Sequence, residues 1–306
     1  MLENYYLRRP TQDDIHVVLA LMIRCDERDI GFPDSDLTDL RADWESIDLS
    51  QDAWLAIDKR SVLQGYGAVL SWSTGKIVAV YDAPGAEDSD LFLSLTVLCE
   101  GRARTLLREK NDPDQQTLVS YISASVEHQR RVLANAGYAV TKHIFNLHRD
   151  LADDISAPAW PDGVTLRGVN PGTDDRALHA LIQNAFDRPG RTPQPFDKWQ
   201  TYMMHPGRFI PELWFLLEAE NELIGCVLCY EYPDLGWVRQ LAVRADHRGA
   251  GLGRMLLQHA FSVFKGRGYP KVGLAVESEN ETANKLYQNA GMREVVHLHE
   301  YSKKIT

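Results

Sequence analysis

Apolar positions in the second half of the chain switch between a helical and an extended period. Leu178, Leu181, Ile182 and Ala185 recur at three- and four-residue spacing behind Asp174 and Asp175, either of which can cap the predicted helix. Two apolar-rich runs follow, at 214–218 and 222–230, and the intervening Ala219-Glu220-Asn221 predicts a hairpin. A further strand is expected from Gly236 to Val243, closed by the polar Arg244-Ala245-Asp246-His247. The helical period returns at Met255, Leu256, His259, Ala260 and Val263, and Gly266 is expected to stop that helix. Residues 271–276 read as a short apolar strand. Asn280 reads as the cap of a helix ending at Gly291, and 295–301 as a last alternating strand. This order predicts an α/β (α+β) architecture with a mixed sheet.

The first half carries the same pattern. Leu7-Arg8, then Asp13-Asp14 and an apolar helical run, match Leu166-Arg167, then Asp174-Asp175 and a second such run. Trp54 and Gly65 align with Trp214 and Gly225, each pair 160 residues apart. Near the end of each half, Val132-Leu133-Ala134-Asn135-Ala136-Gly137-Tyr138 lines up with Leu286-Tyr287-Gln288-Asn289-Ala290-Gly291-Met292 at a spacing of 154. Agreement in order at three places indicates two copies of one fold. The Pro-, Asp- and Gly-rich stretch 153–163 suits a linker, so the expected domains are 1–155 and 156–306.

Composition narrows the function classes. A chain of 306 residues accommodates two ordinary domains. No apolar run approaches the roughly 18–20 residues of a membrane span, so no membrane partner is expected. The start, Met1-Leu2-Glu3-Asn4-Tyr5, does not read as a secretory signal, and four cysteines do not make a disulfide framework. A cytoplasmic enzyme, monomer or homodimer, is the expectation. The net charge of -10 opposes non-specific nucleic-acid binding but leaves room for a local anion site.

One such site is suggested by Arg248-Gly249-Ala250-Gly251-Leu252-Gly253, a turn between a strand and a helix. Backbone N–H groups there converge without partners, and the helix dipole adds positive potential. Glycine permits close approach and positive φ. Arg244, His247, Arg248 and Arg254 surround the turn with cationic or titratable groups. A nucleoside-triphosphate loop would continue Gly-Lys-Ser/Thr, whereas here Arg254-Met255 follow; the dinucleotide fingerprint spaces its glycines differently. Taken alone, the turn reads equally as a structural tight turn.

With the downstream segment included, the sequence resembles the GCN5-related N-acetyltransferase family. The family's phosphate turn, Gln/Arg-x-x-Gly-x-Gly/Ala after an apolar strand, matches Arg248 to Gly253 after Leu241-Ala242-Val243. A second motif, an Asn after the next strand and then Ala, Leu-Tyr and Gly, matches Asn280, Ala283, Leu286-Tyr287 and Gly291. The resemblance covers roughly residues 164–303, and the tandem arrangement is similar to that of mycothiol synthase-like two-copy members. It implies two tandem domains, each with a mixed, mostly antiparallel sheet flanked by helices.

The resemblance also implies acetyl-CoA as cosubstrate and a direct transfer of its acetyl group to a primary amine of a small molecule. Leu241, Ala242 and Val243 would pair with the pantetheine arm. Arg248, Gly249, Ala250, Gly251, Leu252, Gly253 and Arg254 would hold the pyrophosphate, and Asn280 would bond the arm. Tyr287 would sit at the sulfur and protonate the departing thiolate. The carboxylate that many members carry early in the preceding strand is replaced by Trp237, with Arg239 and Gln240 following. Glu277 or Glu231, acting through water, are the substitutes considered for the base, with Glu277 preferred. The alternatives are acetylation of a cysteinyl amine, as in mycothiol synthase, and a CoA-binding regulator without turnover.

The first copy lacks these features. Leu133 stands where Tyr287 does, and the region 81–90 has no glycine-spaced turn, while its Asp82, Glu87, Asp88 and Asp90 would repel an anion. This copy is expected to be non-catalytic. No metal is expected: Cys226 and Cys229 fall on opposite faces of a strand, and His297 and His299 share a face without an evident third ligand. The segment between Phe186-Asp187-Arg188-Pro189 and Phe209-Ile210-Pro211 is expected to line the acceptor side. Its Phe196, Trp199, Tyr202 and Met203 read equally as a pocket lining or a packed helix.

Overall fold

A computed structural model of the chain describes residues 4–72, 75–83, 85, 90–110, 117–152, 155, 157–188 and 191–304. Met1 to Glu3, Pro84, 86–89, Asp153, Asp154, Ser156 and Pro189, all discussed above, lie outside the described residues. Two compact units emerge: residues 1–144 with 296–306, and residues 145–295. Two long strands, β6 (Ala139–Asp150) and β12 (Arg293–Lys304), each begin in one unit and end in the other. The division therefore runs through strands at 144/145 and 295/296, not through the 153–163 stretch that composition suggests as the seam.

The N-terminal unit contains β1 (Tyr5–Arg8), α1 (Ile15–Ile30), α2 (Leu37–Glu45), α3 (Leu49–Asp52), β2 (Ala53–Asp58), β3 (Leu63–Trp72) and β4 (Gly75–Asp82). It continues with α4 (Leu91–Lys110), β5 (Thr117–Ser123) and α5 (Glu127–Asn135). Its strands lie in the order β1-β2-β3-β4-β5-β12. Only β4 and β5 run parallel; the rest of these neighbours are antiparallel. One sheet face packs on α1 and α2 through Val18, Leu21, Leu40 and Trp44. The other packs on α4 through Leu91, Phe92, Leu95 and Cys99, and Tyr301 from the last strand joins that core.

The C-terminal unit repeats the series: β7 (Val164–Gly168), α6 (Asp175–Ala185), α7 (Phe196–Met203), β8 (Trp214–Ala219), β9 (Glu222–Tyr232) and β10 (Leu235–Val243). Then come α8 (Leu252–Gly266), β11 (Lys271–Glu277) and α9 (Glu281–Asn289). The duplication is visible in side chains as well. Arg8 grips Asp14 through both guanidinium nitrogens (2.5 and 2.7 Å), and Arg167 grips Asp174 the same way (2.6 and 2.9 Å). That pairing changes the expected cap: Asp174 occupies the N-cap of α6 without a side-chain cap hydrogen bond, because its carboxylate is held by Arg167 and the Asn170 amide. Asn280 does cap α9, its Oδ1 accepting from the Ala283 N–H at 3.2 Å.

The hairpin turns at Glu220-Asn221, both with positive φ (52° and 63°), as a two-residue turn of right-twisted strands requires. Helix α8 buries Leu256, Leu257, Ala260, Phe261 and Phe264. It ends at Gly266 as expected, although the left-handed position belongs to Gly268 (φ 85°) and not to Gly266.

One irregularity positions the site. Strand β10 runs parallel to β11, but their register covers only Leu235–Lys271, Gly236–Val272 and Trp237–Gly273. The contact is held shut there by close packing. A Cβ on Gly236 would fall 2.4 Å from the Phe264 ring, a buried side chain with no room to retreat. Gly236→Ala is therefore expected to destabilise the protein by about 1–3 kcal/mol through overpacking. Denaturant unfolding of the variant checks this; an unchanged midpoint would contradict it.

Candidate functional site

Beyond Trp237 and Gly273 the two strands diverge. Strand β10 stays paired with β9 on its other edge, with a bulge between Val238 and Gln240 that leaves Arg239 out of register. A bulge bends its strand and sharpens the twist, which fits a strand turning away from its parallel neighbour. Leu241, Ala242 and Val243 lie in this divergent stretch, paired with Val227, Cys226 and Gly225 on one side only. Their other edge presents backbone donors and acceptors that need partners. An extended, amide-containing chain is the shape that satisfies them.

The strand leads directly into the glycine turn. A short helical turn, Ala245–His247, is followed by Arg248, and Gly249 and Gly251 both take left-handed φ (87° and 79°). A Cβ on either glycine would meet nothing within 4 Å, so the requirement there is conformational and not one of packing. Gly253 differs: its φ is ordinary, and an added Cβ would make only normal contacts with Leu286, Leu241 and Val243. The helix ladder begins with the Met255 N–H donating to Gly251 at 3.1 Å. The amides of 251–254 consequently have no acceptor inside the helix, and the first turn of α8 holds no acidic residue.

The four surrounding basic side chains divide into roles that the sequence does not distinguish. Arg244 is spent on Glu222 and Asp246 (2.6 and 2.8 Å), and His247 also meets Asp246. Arg248 braces the turn, donating to the Val243 and Ala185 carbonyls at 3.0 and 2.8 Å. Arg254, exposed on the first turn of α8, has no ion pair or hydrogen bond among the described residues and is the cation left for an anionic ligand.

Tyr287 projects from α9 into the core and is 9% exposed. Burial pushes its phenol up to about 12, so it keeps its proton throughout the physiological range. Asn280 is exposed, with Oδ1 engaged in capping. Asn284, which sequence reasoning passed over, ties the β11–α9 connection together by donating to the Glu277, Ser278 and Asn280 carbonyls. Glu277 ends β11, but its carboxylate is gripped by Arg188 at 2.6 Å. Glu231 is likewise held by Arg267 at 2.6 Å. Neither candidate base is a lone carboxylate.

His148 was also missed, because it precedes the apparent seam and yet belongs to the C-terminal unit. It lies against Trp237 and Gly273, where the strands begin to part. Burial first, and then the Lys271 ammonium, push its imidazole down to about 4, so it is neutral at physiological pH.

In the segment expected to line the acceptor side, α7 resolves the ambiguity of its aromatic stripe. Trp199 and Met203 are fully buried in the core, whereas Tyr202 is exposed and accepts from Arg239 at 2.7 Å. A cleft of about 310 Å³ opens among Leu181, Asn184, Ala185, Leu223, Arg244 and Ala245. It borders the start of the glycine turn; Tyr287 and Glu277 are not among its lining residues. Cys226 and Cys229 are buried free thiols, consistent with core packing.

The N-terminal unit contains the same divergence with a different occupant. Strands β4 and β5 pair only at Gly75–Thr117, Lys76–Leu118 and Ile77–Val119 before separating. At the far end of β4 the fully buried Asp82 carboxylate accepts from Gln129 at 2.5 Å, meets His128 at 2.9 Å, and has Arg28 at 3.5 Å. His128 and Gln129 belong to α5, the counterpart of α9, so this network links β4 to that helix. Leu133, in the place of Tyr287, is wholly buried. The acidic residues Glu87 and Asp88 lie outside the described residues.

Comparison with known proteins agrees with this geometry. The family model for the acetyltransferase (GNAT) family matches residues 177–292. Mycothiol acetyltransferase of Thermomonospora curvata is 29% identical over 194 residues, 62% of this chain and 65% of that protein. Mycothiol acetyltransferase of Thermobispora bispora is 30% identical over 169 residues, 53% and 57% of the two chains. The match thus spans less than two thirds of either relative. A crystal structure of a GCN5-related N-acetyltransferase from Sphaerobacter thermophilus aligns with a TM-score of 0.85 at 30% identity, covering 99% of this chain and 96% of that one. A tandem GNAT protein from the clavulanic acid biosynthesis pathway shares the fold over 98% of both chains (TM-score 0.74, 15% identity). Splayed strands, glycine turn and whole-length likeness converge: the chain belongs to the GCN5-related N-acetyltransferase family, in a tandem form.

Proposed function

We propose that the chain is an acetyl-CoA-dependent N-acetyltransferase whose C-terminal unit, residues 145–295, carries out transfer to a primary amine of a small molecule. The observation that supports this most is the parting of β10 from β11 after three residue pairs, leading into a turn with two left-handed glycines. The edge of Leu241, Ala242 and Val243 suits the amides of a pantetheine arm. The amides of Gly249 to Arg254, with the side chain of Arg254, suit its pyrophosphate. Asn280 retains its side-chain NH₂ for the arm while Oδ1 caps α9.

In the reaction the amine nitrogen attacks the acetyl carbonyl carbon, the C–S bond breaks, and the nitrogen loses a proton as CoA thiolate departs. Tyr287 donates a hydrogen bond to that sulfur. A free thiol near about 8.5 is more acidic than this buried phenol, so stabilising the thiolate by hydrogen bonding takes precedence over full proton transfer. Glu277 accepts the amine proton, directly or through water, once Arg188 is drawn aside. The N-terminal unit, with the Asp82 network in the matching place, is non-catalytic.

A second reading concerns the acceptor. The named relatives are mycothiol acetyltransferases, which favours a cysteinyl amine among candidate acceptors, while Trp237 in place of the strand carboxylate marks a departure.

Mass-spectrometric detection of acetylated product and free CoA across a panel of small amines, a cysteinyl amine included, tests the proposal. Acetylation of at least one amine is expected; tight CoA binding with no product on any of them would favour a regulator instead. Tyr287→Phe is expected to lower kcat by about 10²-fold and leave CoA affinity nearly intact, and unchanged kcat would remove the phenol from the reaction. Glu277→Gln is expected to lower kcat/KM by about 10²-fold, most steeply at low pH where the acceptor amine is protonated; an unaltered pH profile would exclude it as the base.

A further inference from the structure

His297 and His299 occupy alternate positions of β12, and the fold brings a third imidazole to them. His143, on the part of β6 that belongs to the same N-terminal unit, has Nδ1 3.1 Å from His297 Nε2. The ring centroids lie 4.6 Å (His143 to His299), 4.8 Å (His297 to His299) and 5.2 Å (His143 to His297) apart. One nitrogen from each of the three falls within 4.8 Å of the others.

The hydrogen-bond inventory of this cluster is incomplete. His299 is 7% exposed, and its Nδ1 is buried without a partner. A buried ring nitrogen left unpaired costs free energy unless something binds it. Burial first, then His143, His297 and Arg130, push the His299 imidazole down to about 4.

We propose that His143, His297 and His299 form a binding site for one divalent transition-metal ion of the zinc class. Zinc binds imidazole nitrogen at about 2.0–2.1 Å with tetrahedral geometry, which separates ligand nitrogens by about 3.3 Å. The His143–His297 pair already meets that spacing, and His299 needs only a small ring movement. Three imidazole nitrogens, with no carboxylate in the cluster among the described residues, favour zinc, cobalt, nickel or copper over calcium or magnesium, which take oxygen ligands. His143 and His297 are half-buried, leaving the fourth position to water. Arg130, whose guanidinium donates to the Ala124 carbonyl, is a cation close enough to act on His299. Its positive charge opposes a bound cation, so a modest affinity is expected. The ion would fasten the last strand of the chain to β6.

The test uses the full chain without an affinity tag, stripped with chelator. Zinc chloride is titrated in competition with a chromophoric chelator, and cobalt chloride is titrated while the visible d–d absorption is followed. One equivalent of zinc bound at micromolar affinity, a cobalt band of four- or five-coordinate type, and a rise in Tm with zinc are expected. The double variant H143Q/H297Q should bind at least tenfold more weakly, while H205Q, on the loop after α7 and outside the cluster, should bind as the parent does. Absence of a one-equivalent site in the parent chain would overturn the proposal, as would a double variant binding equally well. Should the double variant not fold, H143Q alone decides: loss of the cobalt band supports the site, and an unchanged band overturns it.

Discussion

Everything proposed for the catalytic unit depends on an unfinished strand pairing. Backbone N–H and C=O groups must find partners, yet β10 and β11 share a register of three residues and then part. The bulge at Arg239 turns β10 aside, and the left-handed glycines at 249 and 251 reverse the chain so that the next helix starts at the mouth of the gap. The edge and the helix N-terminus thus form one continuous strip, first of alternating donors and acceptors and then of donors alone. A long ligand with amides at one end and a pyrophosphate at the other complements that strip. Tyr287 and Glu277 follow from the next strand and helix.

The N-terminal unit shows that the parting of strands is a property of the fold, and its use a property of the side chains. There the strands separate after an equivalent three-residue register, but the gap ends at a buried carboxylate bound to Gln129, His128 and Arg28. Breaking such a buried charged network by removing one partner costs about 3–5 kcal/mol. A ligand entering there would have to disrupt those contacts and place phosphate near Asp82. The duplicated fold has thus kept its framework twice, as in the two Arg–Asp clamps, whereas an anion site is proposed only for the second copy.

Much of this was legible in the sequence, for identifiable reasons. The glycine turn, the Asn280 cap and the Glu220-Asn221 hairpin are local, set by φ preferences and side-chain hydrogen bonds within a few residues. The repeat was legible because the core positions of both copies face the same neighbours. Long-range features were not. Composition placed a seam at 153–163, whereas β6 and β12 pass from one unit to the other, and only strand pairing shows that 296–304 completes the N-terminal sheet. For the same reason His148 and His143 escaped notice, each set beside its neighbours by pairing across more than eighty residues. The Arg188–Glu277 ion pair likewise joins positions 89 residues apart, and it turns a free-looking carboxylate into an occupied one.

The central claim, that one of two equivalent partings is a CoA site, is tested most directly by amide hydrogen exchange of the full chain with and without saturating CoA. Slowed exchange at 241–243 and 249–254, with no change at 78–83, is expected. Protection at 78–83, or exchange unaltered at 249–254, would contradict it.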